Sequence, residues 1–128
     1  MDDKLKKHGA ISWSELLTTN VAAAKSFYGE LFGWQFEDAP MENMTYTVVK
    51  ANDDEVAGIM AMPEGAPAGM PPVWGLYVTV DNVDAAAEKA TTLGAEIHLP
   101  PQDIPQVGRF CVLQDPQGAF ISIISYVN

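Results

Sequence analysis

Asn20-Val21-Ala22-Ala23-Ala24-Lys25-Ser26-Phe27-Tyr28-Gly29-Glu30-Leu31-Phe32-Gly33-Trp34 is the stretch from which the fold is read. Asn20 is a helix-capping residue type, because its side-chain oxygen accepts from a first-turn N–H that has no partner inside the helix. The Ala-rich run behind it favours helix, and Gly33 supplies a stop. Ala24, Phe27, Tyr28 and Leu31 fall at i, i+3, i+4 and i+7, an apolar stripe expected to pack on a sheet. In front of the cap, Ile-Ser-Trp-Ser-Glu-Leu-Leu at 11–17 alternates large and small side chains at period two, the mark of a strand.

Working outward, a short strand is expected around 34–37, a β-rich strand over 45–50, a turn at Asn52-Asp53-Asp54 and another strand over 56–62. Residues 63–72, rich in Pro and Gly, break both helix and ladder and read as a linker. The same order then restarts. A strand over 73–80 is followed by the cap Asp81-Asn82, a helix over 83–93 stopped by Gly94, and strands at 96–99, 109–114 and 119–126. Asp115-Pro116-Gln117-Gly118 is the expected hairpin turn before the last strand. Two βαβββ units follow, at about 10–62 and 73–128. Asn20 and Asn82 stand 62 apart, while Gly33 and Gly94, like Asp54 and Asp115, stand 61 apart, so caps and turns recur in register.

Of 128 residues, 48% are hydrophobic and 19% charged, the composition of one globular domain rather than of a disordered chain. Seven basic against seventeen acidic residues give a net charge of −10, which argues against nucleic acid or an anionic membrane as partner. The lone Cys111 cannot form an internal disulfide, and no apolar run is long enough to span a bilayer or form a secretory leader. A cytoplasmic protein is expected.

Glu15-Leu16-Leu17-Thr18-Thr19-Asn20, the 22–34 helix end, Val80-Asp81-Asn82-Val83, Leu93-Gly94-Ala95 and Asp115-Pro116-Gln117-Gly118 together resemble the vicinal oxygen chelate superfamily. That superfamily includes glyoxalase I, extradiol dioxygenases and the bleomycin and fosfomycin resistance proteins. The resemblance implies an α+β fold in which two βαβββ units form a curved, half-open barrel with helices outside and a small-molecule cleft inside. It also implies four metal-ligand positions, which fall at Trp13, Ala61, Gly75 and Ser122. A divalent ion of the kind used there needs imidazole, carboxylate or amide oxygen, and indole, methyl and hydrogen supply none. No metal and no other cofactor is therefore expected. His8 and His98 have no chelating neighbours in sequence and read as surface residues.

Alternation along strands places Trp13, Glu15 and Leu17, then Gly75, Tyr77 and Thr79, then Ser122, Ile124 and Tyr126 on the face of those positions, with Ile59 and Ala61 joining them. The result is an apolar and aromatic wall with one carboxylate. Glu15 is the only candidate base; the plainer reading has it capped by Arg109 or solvated at the rim. Cys111 reads as a buried, inert thiol. Met41, Met44, Met60, Met62 and Met70 either form an adaptable flap over the cleft or simply pack.

Three functions are open on this reading. The first is a metal-free protein that sequesters or senses a hydrophobic or cationic small molecule. The second is a glyoxalase-like lyase or isomerase, or a dioxygenase-related enzyme. The third is a homodimeric interaction module, and a homodimer is the expected assembly in any case.

Overall fold

The computed structural model describes residues 2–41, 44–62 and 69–127. After a short 3-10 turn at Asp3–Lys6, the elements run β1 (Ile11–Thr18), α1 (Val21–Phe32), β2 (Gln35–Met41), β3 (Met44–Ala51), β4 (Asp54–Ala61), β5 (Val73–Thr79), α2 (Val83–Thr92), β6 (Glu96–Ile104), β7 (Gly108–Gln114) and β8 (Phe120–Tyr126). The βαβββ order therefore occurs twice, as the caps and turns predict. The chain divides into two compact units, Trp13–Gly75 and Met1–Ser12 with Leu76–Asn128. Most of the expected linker, 63–68, lies outside the described residues.

In the first unit the strands are ordered β2-β3-β4-β1, with β1 and β4 parallel and the other pairs antiparallel. Asn20 accepts from the Ala23 N–H at 2.9 Å, and Gly33 closes α1 in the left-handed conformation that costs other residues steric strain. One sheet face carries Leu16, Val49, Ala57 and Ile59, against which Val21, Ala24 and Tyr28 of α1 pack with Trp34 and Phe36. Val49 and Ile59 are wholly buried, worth about 1.5–3 kcal/mol each in removal from water. The expected α1 stripe is only half right. Phe27 and Leu31 are 60% and 57% exposed, because the sheet-facing line runs through positions 21, 24 and 28, which leaves 27 and 31 on the flank.

In the second unit the order is β5-β8-β7-β6, again with the first and last strands of the unit parallel. Asn82 repeats the cap, accepting from the Ala85 N–H at 3.0 Å. Its core is Val80, Val83, Ala87, Cys111, Leu113 and Ile123. The N-terminal segment is tied to β5 by Gly9 N–H to Thr79 O and Thr79 N–H to Ala10 O, at 2.7 and 2.8 Å. Several strands are longer than predicted, β6 most of all: it runs through Pro100 and Pro101 to Ile104, with register shifts between Ile97 and Gln102. No helix among the described residues is long and apolar enough to cross a membrane.

The hairpins of the two units differ, and the difference moves side chains. β3 and β4 are joined by the two residues Asn52 and Asp53, both at positive φ, whereas β7 and β8 are joined by the five residues 115–119. Asp115 stabilises the longer connection by accepting from the N–H groups of Gln117 and Ala119. Counted from the turn aspartates, Gly58, the partner of Glu15, comes four residues after Asp54, and Ser122, the partner of Tyr77, seven after Asp115, a displacement of 7 − 4 = 3 residues.

Candidate functional site

On the face of the first unit turned away from α1, three side chains meet. Trp13 and Glu15 project from β1 and Tyr46 from β3, each half-buried. The Trp13 indole N–H donates to the Tyr46 hydroxyl oxygen at 2.9 Å, and that hydroxyl donates to Glu15 Oε2 at 2.8 Å. The ring can lie there because position 58 is glycine. A Cβ at 58 would fall inside the Tyr46 ring and hydroxyl, well within contact distance. Glu15 and Gly58 are register partners, as are Leu17 and Met60, so all four share this face.

Ile59 and Ala61 do not. Ile59 pairs with Leu16 and Ala61 with Thr18, so both are on the helix side, and Ile59 is in the core. Their expected place on the wall is corrected by the shorter hairpin: in the second unit Tyr77 pairs with Ser122, so the counterpart of Ser122 is the partner of Glu15. That residue is Gly58, at 122 − 58 = 64 and not the 61 that selected Ala61; an odd shift of three reverses the face. Gly75, also in the first unit, is half-buried, and among the described residues a Cβ there would meet the Glu15 carbonyl oxygen, at 3.9 Å.

The remaining wall residues lie in the second unit and share its face away from α2. Tyr77, Thr79 and Ile124 are buried there, with Ser122 and Tyr126 half-buried. Tyr126 shares a 2.8 Å hydrogen bond with the buried Ser12 hydroxyl, and burial pushes its phenol pKa up, against a smaller opposing effect of that bond. Phe110, whose ring lies 6.4 Å from that of Tyr77, belongs to the same face and was not expected there.

Arg109, named as a cap for Glu15 in the plainer reading, is engaged within the second unit. Its guanidinium is held by both oxygens of Asp84, at 2.8 and 3.0 Å, and by Asp103 at 3.1 Å. The Arg109 hydrogen bond holds the Asp84 carboxyl below its ordinary pKa, and the two carboxylates raise that of Arg109. His8 accepts from the Asp81 N–H at 3.0 Å, and His98 lies 2.8 Å from the Gln114 side-chain oxygen, so both histidines have surface structural roles. Cys111 is fully buried, and burial raises its thiol pKa. Met41, Met44 and Met60 are strand residues, which removes them from a loop flap.

Of the four positions that the resemblance implies, Trp13 offers an indole N–H already used by Tyr46, Ala61 a methyl group, Gly75 no side chain and Ser122 a neutral hydroxyl, and Gly58, the register counterpart of Ser122, likewise has no side chain. Among the described residues, no group of three or more His, Cys, Asp or Glu side chains is placed to hold a metal. Two surface depressions, one of about 440 Å³ beside α2 and β6 and one of about 770 Å³ along α1, include none of the wall residues.

Residues 10–123 match the family model of the Glyoxalase/Bleomycin resistance protein/Dioxygenase superfamily. The chain is 40% identical over 119 residues to a Mycobacterium tuberculosis protein named "Putative glyoxylase CFP32", covering 91% of this chain and 46% of that protein. It is 30% identical over 127 residues to the anthracycline biosynthesis protein DnrV of Streptomyces peucetius, covering 90% and 46%. The chain thus spans about half the length of the curated relatives it matches. Among solved structures, methylmalonyl-CoA epimerase from Mycobacterium tuberculosis superposes with a TM-score of 0.65 at 12% identity, over 92% of this chain and 90% of that one, a likeness of fold.

Proposed function

Because this chain belongs to the Glyoxalase/Bleomycin resistance protein/Dioxygenase superfamily, we propose that it is a small-molecule-binding member that works without a metal, anchored on the Trp13–Tyr46–Glu15 cluster. What supports this reading is the donor chemistry of Trp13, Gly58 and Gly75, combined with the Tyr46 phenol in the space over Gly58. A carboxylate held by a phenol on a half-buried apolar face is the kind of polar anchor from which small-molecule sites are built. The natural setting on this reading is the cytoplasm.

The test is a thermal-shift screen of wild type and Trp13→Ala against nickel, zinc, manganese and iron(II) and against an organic library, since a ligand of the folded state raises Tm. Stabilisation by an organic compound and by no metal, lost in Trp13→Ala, supports the reading. Strong stabilisation by a divalent metal at stoichiometric concentration overturns it. The names of the relatives keep an enzymatic version in view, a lyase or isomerase with Glu15 as base; Glu15→Gln abolishing turnover of a bound compound would select it.

A second reading, association with a second copy, is favoured by one observation. Phe27, Leu31 and Phe32 of α1 are more than half exposed, and the rings of Phe27 and Phe32 continue through Tyr28 and Trp34 to Trp74 in a series of ring contacts. Exposed apolar patches of this kind mark contact surfaces. Sedimentation of wild type against Phe27→Asp/Leu31→Asp is the check: a dimer that becomes a monomer supports the pairing, and a wild-type monomer removes it.

A further inference from the structure

The outer face of α1 carries two parallel rows of side chains. Ala22, Ser26 and Glu30 follow one another at four-residue spacing, as do Ala23, Phe27 and Leu31, and all six are exposed. The depression of about 770 Å³ along α1 is the furrow at these rows, lined by Ala23, Ser26, Phe27, Glu30 and Leu31. Phe32 stands apart, its ring 6.0 Å from that of Tyr28 and 4.9 Å from that of Trp34.

Size changes along the face. Its N-terminal half carries Ala22, Ala23 and Ser26, and its C-terminal half Phe27, Glu30 and Leu31. A second α1 running in the same direction would set large against large and leave a void between the small residues. Running in the opposite direction about a two-fold axis between positions 26 and 27, it sets Phe27 against Ser26, Leu31 against Ala22 and Glu30 against Ala23 of the other copy. Rows at four-residue spacing then lie in each other's furrows, the commonest packing of two helices. Two large exposed side chains per copy fall short of the about 800 Å² per partner of a standard interface, so the association should be weak and concentration-dependent.

Charge selects the same direction. Glu30 is in the last turn of α1, where the negative end of the helix dipole disfavours a carboxylate, and among the described residues it has no ion-pair partner. The first turn, at the positive end, has no acidic residue of its own. The antiparallel arrangement brings each Glu30 to the first turn of the other copy.

We propose that the outer face of α1 is a self-association surface on which two copies of this chain pair antiparallel about an axis between Ser26 and Phe27, each Glu30 carboxylate lying against the first turn of the other α1. This rests on the reading that the chain pairs with itself and adds the direction, the axis and the residue that sets them.

Sedimentation over a concentration series tests the pairing, and disulfide formation in oxidised Ser26→Cys and Glu30→Cys, with the native Cys111 buried in both, locates the axis. The expected result is a weak dimer, an intermolecular disulfide in Ser26→Cys and none in Glu30→Cys, whose mate lies about 10 Å away along the helix. Ala23→Cys mixed with Glu30→Cys should link one variant to the other. Glu30→Gln should raise the dimer dissociation constant about tenfold, counting both contacts, without lowering the Tm of the monomer, because the carboxylate is unfavourable within its own helix. A wild-type monomer overturns the pairing and this arrangement together. A wild-type dimer in which Ser26→Cys stays unlinked, or in which Glu30→Cys links as readily, overturns the arrangement and leaves the pairing intact. So does a dissociation constant that Glu30→Gln leaves unchanged.

Discussion

The Tyr46 hydroxyl lies directly over the α-carbon of Gly58, in the space that a side chain on β4 would occupy. Two strands that share a sheet face have thus exchanged roles: β4 gives up its side chain, and β3 reaches across to fill the space and orient Glu15.

Gly58→Ala should expel the Tyr46 ring and forfeit its bonds to Trp13 and Glu15, at a cost of about 1–3 kcal/mol by chemical denaturation. The far end of a half-buried ring can move aside. The comparable change Gly108→Ala drives its Cβ into the backbone carbonyl of Ser125, which cannot, so it should destabilise more. In a Tyr46→Ala background the Gly58→Ala cost should largely vanish; an additive double mutant would show that the two residues do not compete for space.

The two helix caps offer an independent pair. Asn20→Ala and Asn82→Ala each remove one side-chain acceptor from a first-turn N–H and should cost about 0.5–2 kcal/mol. Because the caps are in separate units, the double variant should lose the sum, as read from urea midpoints at constant m-value.

Acid should weaken the Arg109 cluster with a definite sign. Arg109 depresses the Asp84 pKa in the folded state, so the stabilising effect is present above the unfolded value of about 4 and is lost as pH falls through the lower folded value. Asp84→Asn should therefore lower Tm at pH 6, and its difference from wild type should shrink on titration toward pH 2. A constant difference across that range would show that the ion pair is not its cause.

Cys111 should be silent toward a thiol reagent at pH 8 in the native state and react fully in urea, because the side chain has no exposed surface and burial favours the neutral thiol. A modification rate that follows the unfolding equilibrium is the expected result. Fast native-state labelling would mean that β7 opens locally.

How much of this was legible from the chain alone differs between helix and sheet. The capping asparagines, the α1 stop at Gly33, both hairpin turns and the repeat of a βαβββ unit were all readable, because each depends on local backbone chemistry within a few residues. The face taken by β4 was not readable. It depends on how many residues the turn consumes, and a two-residue turn at 52–53 against a five-residue connection at 115–119 moved the reading from Gly58 to Ala61 and carried Ile59 with it.

Tyr46 shows where the sequence stops. It is 31 residues from Glu15 and 33 from Trp13, and no local pattern joins them. Their meeting requires β3 to pair with β4 and β4 with β1 in one particular register, with a glycine beneath the ring. The sequence by itself determined which elements form and which chemistry the residues can supply. Only the tertiary structure decided which of them share a face, because strand register is set by long-range pairing and one odd shift reverses every side chain.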